Sequence, residues 1–121
     1  IASIAGRGFK DTSNAAYAAT KGAVIALTKT AAQQLGRHDI TVNAICPGVT
    51  FTAILEDLLK TRAAEQGISV EEMRARIEKP IPIGRGNTPA DIAAMAVFLA
   101  GPGARNITAQ SYNVDGGLVP S

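Results

Sequence analysis

Tryptophan is absent, cysteine and histidine occur once each, and aromatic side chains are few. Phe9, Tyr17, Phe51, Phe98 and Tyr112 are too few to fill a core, so Ala, Val, Ile and Leu must pack it. A lone Cys46 excludes an internal disulfide. With His38 as the single histidine it also excludes an ordinary zinc cluster, and no metal site is expected. A reducing compartment fits, so the expected location is cytoplasmic. Twelve basic against ten acidic residues leave a net charge of +2 without a Lys/Arg cluster, so no nucleic-acid partner is expected. No apolar run reaches the ~18 residues of a membrane span, so no membrane partner is expected either. The 12 glycines and 6 prolines follow no period, which excludes collagen-like and low-complexity chains. What remains is an ordinary globular mixture, 46% apolar and 18% charged. No signal peptide is visible; the chain opens on Ile1 and reads as though it starts within a domain.

Along the chain, Ile1-Ala2 reads as the end of a strand and residues 4–15 as a loop. A helix is predicted from about Ala15 to Leu35, with Ser13 or Asn14 as N-cap. Ala16, Ala19, Ala23, Val24, Leu27, Ala31 and Leu35 form its apolar stripe, and Gly36 suits the C′ position. Ile40 to Cys46 reads as a strand buried on both faces, the mark of a parallel sheet. Two helices follow, one ending near Gly67 and one from about Val70 to Glu78, before Pro80 and Pro82. Thr88-Pro89-Ala90-Asp91 is a strong helix start, and Ile92, Met95, Ala96 and Leu99 are the expected buried stripe. Ile107 to Asp115 ends in a second strand, with Tyr112 and Val114 on one face. The order of elements predicts an α/β fold, yet two short strands are too few for a complete sheet.

Chemistry is concentrated near the start of the first helix. Tyr17 and Lys21 are four apart and therefore share one face. An unperturbed tyrosine, with a pKa of about 10, is a poor base at neutral pH. A neighbouring ammonium and the positive end of a helix both favour the phenolate. Alone, such a pair is an ordinary solvated helix face. Ser3, at a strand end fourteen residues upstream, and Pro47-Gly48, at another strand end, change that, because strand ends are where open α/β sheets place their sites.

Ser3, Tyr17-Ala-Ala-Thr-Lys21-Gly22, Val42-Asn43-Ala44-Ile45-Cys46-Pro47-Gly48 and Asn113-Val114-Asp115-Gly116-Gly117 together resemble the C-terminal half of the short-chain dehydrogenase/reductase family. Residues 83–100 and Ile107-Thr108-Ala109-Gln110 resemble it as well, in the same order. The resemblance implies the C-terminal half of a doubly wound Rossmann-like parallel sheet, incomplete on its own, with residues 1–121 forming part of a single NAD(P)-binding domain. It implies hydride transfer between NAD or NADP and a secondary alcohol or ketone. Tyr17 would be the general acid/base, Lys21 would lower its pKa and hold the nicotinamide ribose, and Ser3 would bond the substrate oxygen. Pro47 and Gly48 would face the nicotinamide, the Thr50 backbone would bond its carboxamide, and Thr52 would lie near the pyrophosphate.

The chain also departs from the family pattern. The Ser3–Tyr17 separation is one residue longer than the commonest, so a loop bulge is expected. Ala109 stands where the family usually has Gly, a change expected to matter little. The Gly-rich phosphate turn, the residue choosing NAD or NADP and the relay Asn are not in these residues, so the stretch alone is expected to be inactive. The other reading is a non-catalytic piece that folds only with a partner chain supplying strands.

His38 is expected at the surface, Cys46 as a small buried hydrophobe, and Asp115 as a turn residue held by backbone bonds. The Leu-rich stripe of residues 53–79 reads either as plain core or, by resemblance, as a substrate lid in which Ile54, Leu55 and Leu58 shape the pocket. Its mixture of Leu, Glu and Arg leans toward polyols, sugars or small hydroxy compounds. The Ala-rich helix face packs either on its own sheet or, by resemblance, in a homo-oligomer, dimer or tetramer.

Overall fold

The computed structural model describes residues 1–9 and 13–120. Two parallel strands, β1 (Ala44–Pro47) and β2 (Ser111–Val114), pair in register from Ala44 opposite Ser111 to Pro47 opposite Val114. Parallel neighbours need a long crossover. Here it carries α2 (Ala53–Gln66), α3 (Val70–Glu78) and α4 (Pro89–Ala100), while α1 (Ala15–Leu35) precedes β1. On the other edge of β1, Ala2 donates its N–H to the Ile45 carbonyl at 2.8 Å, so Ile1-Ala2 does lie alongside the sheet.

Side chains alternate across a strand. Ala44 and Cys46 pack with Ile25 of α1, Ala2, Ile4 and Val119, whereas Ile45 faces Ala96 and Leu99 of α4. Helices therefore cover β1 on both faces, the doubly wound α/β arrangement on a partial sheet. A second core lies apart from it, between α2 and α3, where Leu59, Ala63 and Met73 are buried.

Helix ends follow local chemistry closely. Asn14 caps α1 by accepting the Tyr17 N–H at 2.9 Å, and Ser69 caps α3 by accepting that of Glu72 at 3.0 Å. Gly67, at φ 65°, ends α2 in the left-handed region. The Asp91 carboxylate accepts both the N–H and the hydroxyl of Thr88, at 2.7 and 2.8 Å. His38 is exposed, as expected.

Several expectations need correction. Within the loop read over 4–15, Ile4–Arg7 forms a 3-10 turn capped by Ser3. Any bulge in that loop touches residues 10–12, which lie outside the described residues. The buried face of α1 is Ile25, Thr28 and Ala32, while Ala16, Ala19, Ala23 and Leu27 face outward. Alanines surround this helix, so the apolar pattern singles out no face. Thr28 can sit inside because its hydroxyl bonds the Val24 carbonyl at 2.9 Å. Gly36 is not the left-handed cap: the chain runs on as a 3-10 turn, Gly36–His38, and Asp39 takes the positive φ of 59°. β1 begins at Ala44 rather than Ile40, because the Asn43 side chain replaces the ladder, bonding the Ile107 carbonyl and the Gln110 N–H. In α4 no residue is fully buried; Ile92, Met95 and Leu99 are half-buried, Ala96 is exposed and Val97 is 72% exposed. Ala109 adopts φ 61°, a left-handed conformation that disfavours a Cβ, so the missing glycine does matter.

Candidate active site

Where β1 ends, a cleft of about 370 Å³ opens between the Ser3 turn, α1 and the C-terminal turn. Ser3, Ser13 and Tyr17 supply its hydroxyls, Ile4, Val49 and Leu118 its apolar wall, and Pro47-Gly48 one side.

Close backbone approach sets this geometry. Gly6 lies directly on α1: a Cβ there would come within 2.6 Å of the Lys21 carbonyl carbon and 2.8 Å of the Gly22 nitrogen. Only glycine permits that contact, which brings the Ser3 turn beside the first turns of α1. The Ser3 Oγ accepts the Ala5 N–H at 3.2 Å, so its own hydrogen is free to donate elsewhere. The Asn14 cap places Tyr17 at the third helical position, at the positive end of the helix dipole. Tyr17 is 42% exposed. One turn on, the Lys21 ammonium lies 5.6 Å from the Tyr17 ring centroid and 3.4 Å from the Ile1 carbonyl oxygen.

The opposite wall is equally tight. A Cβ on Gly48 would meet Asp115 Cβ at 2.5 Å. Asp115 is buried, and its carboxylate accepts the N–H groups of Gly117 and Val119 at 2.9 and 2.8 Å. It is the turn residue that was expected, and its turn carries Leu118 into the cleft.

The structure thus brings Ser3, Tyr17, Pro47 and Gly48 to one cleft, with Lys21 against Tyr17. Thr50 and Thr52 are not among the residues lining it. The Thr50 hydroxyl donates to the Gly48 carbonyl at 3.0 Å. Thr52 is the N-cap of α2, its hydroxyl oxygen accepting the Leu55 N–H at 3.4 Å.

Two residues that position the site carried little signal in the sequence. Asn87 is buried; its N–H bonds the Val49 carbonyl at 2.7 Å, its carbonyl accepts the Phe51 N–H at 2.8 Å, and its side chain donates to the Val114 carbonyl. In a Gly-Arg-Gly-Asn-Thr run it reads as one more turn residue. Arg7 donates to Asn113 Oδ1 at 3.1 Å and to the Ser111 carbonyl, tying the Ser3 turn to β2. Only the folded chain brings those groups together.

Cys46 is fully buried, and burial pushes its thiol above the usual range while the Arg7 guanidinium pulls the other way. It packs as the small hydrophobe expected. Among the described residues no cluster of His, Cys, Asp or Glu could hold a metal ion, and no helix is long and apolar enough to cross a membrane.

A family model described as enoyl-(acyl carrier protein) reductase matches residues 1–119. Galactitol 2-dehydrogenase of Agrobacterium fabrum is 46% identical over 101 residues, covering 84% of this chain and 40% of that protein. The chain spans about 40% of the length of the curated relatives it matches. A short-chain dehydrogenase family protein from Francisella tularensis superposes with a TM-score of 0.89 at 32% identity, over 97% of this chain and 48% of that one. A variant of actinorhodin polyketide ketoreductase solved with NADPH gives a TM-score of 0.84 at 39% identity, over 97% and 44%. On the strength of the family match, the sequence identity and the shared Rossmann architecture, the chain belongs to the short-chain dehydrogenase/reductase family.

Proposed function

We propose that residues 1–121 are the C-terminal part of a single NAD(P)-binding domain that interconverts a secondary alcohol and a ketone, and that this stretch alone is inactive. The observation that carries the reading is the meeting of Ser3, Tyr17 and Pro47-Gly48 in one cleft, with the Lys21 ammonium 5.6 Å from the Tyr17 ring.

The residues fit a nicotinamide cofactor. The bridge to Asn87 uses the backbone groups of Val49 and Phe51, so the N–H and carbonyl of Thr50 point the other way, available to a carboxamide. Pro47 and Gly48 would flank the ring, Lys21 would donate to its ribose, and Thr52 would lie near the pyrophosphate. When bound, the cofactor supplies or accepts the hydride. The chain's own residues handle the oxygen and its proton. Ser3, with its acceptor side engaged by Ala5, donates its hydroxyl hydrogen to the substrate oxygen. Tyr17 gives or takes the alcohol proton at that same oxygen, and the Lys21 charge favours its phenolate.

The substrate is a polyol, sugar or small hydroxy compound. Three hydroxyls in one cleft with a modest apolar wall support this, as does the similarity to galactitol 2-dehydrogenase. The α2–α3 hairpin is its lid; Leu55, expected with them, packs on the hairpin core instead, while Ile54 (84% exposed) and Leu58 are outside that core and free to meet substrate. The outward row of Ala16, Ala19, Ala23 and Leu27 on α1 supports assembly as a homo-oligomer, dimer or tetramer. A single buried thiol fits a cytoplasmic protein.

The test is a nicotinamide-linked assay of the complete domain against a panel of polyols and small secondary alcohols. Tyr17→Phe is expected to lower kcat by ~10²-fold or more. A Tyr17→Phe variant with full activity would sink the reading.

A further inference from the structure

We propose that Arg74 is a positioning residue for the cleft: it seats the α2–α3 hairpin and holds the Val49 wall through Phe51 and Gly86. The proposal rests on the reading of the cleft as the active site. Its foundation is a cluster outside that cleft which no catalytic role accounts for.

The Arg74 guanidinium lies over the Phe51 ring, 3.7 Å from its centroid. It also bonds Glu56 of α2 at 3.2 Å and pairs with Glu78 of α3 at 3.6 Å. The same Glu78 oxygen accepts the Gly86 N–H at 3.1 Å. Gly86 also lies against the ring: an added Cβ there would meet Phe51 Cε2 at 2.5 Å. The Phe51 ring thus touches both the Arg74 guanidinium and Gly86, and Arg74 joins α2 to α3 directly and to the segment before α4 through Glu78.

The consequence reaches the cleft through backbone bonds. Phe51 donates to the Asn87 carbonyl, and Asn87 donates to the carbonyl of Val49, which lines the cleft. Gly86 precedes Asn87 directly. Loosening the ring frees residues 49–51 on one side and 86–87 on the other. The hairpin keeps a core of its own, since Leu59, Ala63 and Met73 are buried together between α2 and α3. Removing the guanidinium leaves Glu56 and Glu78 facing each other without the cation between them, so the hairpin loses its seat rather than its structure. Lysine restores the charge but has neither the planar face for Phe51 nor the fork that spans two carboxylates.

Two readouts in the complete domain test this, one independent of activity. In Arg74→Ala, amide exchange at Phe51, Gly86 and Asn87 is expected to quicken by at least about tenfold while Leu59 and Cys46 stay protected. KM for the alcohol is expected to rise about tenfold with kcat within about twofold, and Arg74→Lys to recover only part of the loss. Unchanged exchange at those three amides overturns the proposal. So does quickening throughout the chain, which makes Arg74 a general structural residue, or local quickening with an unchanged KM. Should Tyr17→Phe remain active, the functional reading fails by itself, and the exchange data still judge the seating role.

Discussion

The core beneath the cleft gathers Ala2, Ile4, Ile25, Ala44, Cys46 and Val119 from both ends of the chain, whereas the core of the α2–α3 hairpin comes from residues 51–77 alone. The two share no member. Contacts distant in sequence make the first core a cooperative whole, so a fault anywhere in it disturbs Ser3, Tyr17 and Gly48 together. Local contacts make the second a unit that can shift or loosen while the first holds. In the proposed reading, this division keeps Ser3 and Tyr17 on rigid ground and leaves the α2–α3 hairpin free to vary.

Gly48→Ala is the most severe way to probe that contrast. Its Cβ would sit 2.5 Å from Asp115 Cβ and 2.8 Å from Asp115 Cα, where no flexible side chain can yield. A loss of about 3 kcal/mol is expected in denaturant unfolding. An unchanged midpoint would show that the wall beside β1 is looser than described.

Leu59→Ala sharpens the comparison from the other side. Leu59 is fully buried, so the cavity should cost about 2–3 kcal/mol. The cost should be confined: exchange rises across residues 53–78 while the Ala2, Ile25 and Cys46 amides keep their protection. Uniform loss of protection would merge the two units into one.

Ala109→Gly acts on the first region alone. At φ 61° the alanine is strained, and glycine should stabilise the domain by roughly 0.5–1 kcal/mol, read as a higher Tm. A lower Tm would mean that the strain is absorbed elsewhere.

The smallest effect concerns Asp91. Its carboxyl is held below the usual carboxylate range by the Thr88 N–H and then the Thr88 hydroxyl. A depressed folded-state pKa adds stability above the unfolded value of about 4, and that contribution is lost as pH falls through the lower folded value. NMR titration should therefore show the Asp91 carboxyl protonating below ordinary aspartates, with the start of α4 loosening in step. A normal titration would remove the capping box from the account.

Legibility in the sequence divided along physical lines. Several helix ends were readable because caps are local: Asn14, Gly67 and Thr88-Pro89 act within a turn of themselves, whereas the turn after Gly36 was misread. The inward face of α1 was not, because alanine on every side leaves the choice to Ile25 and to a threonine whose hydroxyl satisfies itself. The start of β1 was hidden by Asn43, which mimics the ladder with its side chain. Ser3, Tyr17 and Pro47-Gly48 could be anticipated from strand ends and family likeness. Asn87 and Arg74 could not, since their partners lie far off in sequence: Asn87 meets Val49 and Val114, and Arg74 meets Phe51 and Glu56.

The most direct measurement is a crystal structure of the complete domain with nicotinamide cofactor and an alcohol bound. The account predicts the alcohol oxygen within hydrogen-bond reach, about 2.6–3.2 Å, of both Ser3 Oγ and Tyr17 Oη, with the nicotinamide against Pro47-Gly48. An alcohol bound elsewhere, or a cleft that closes without taking substrate, would contradict it.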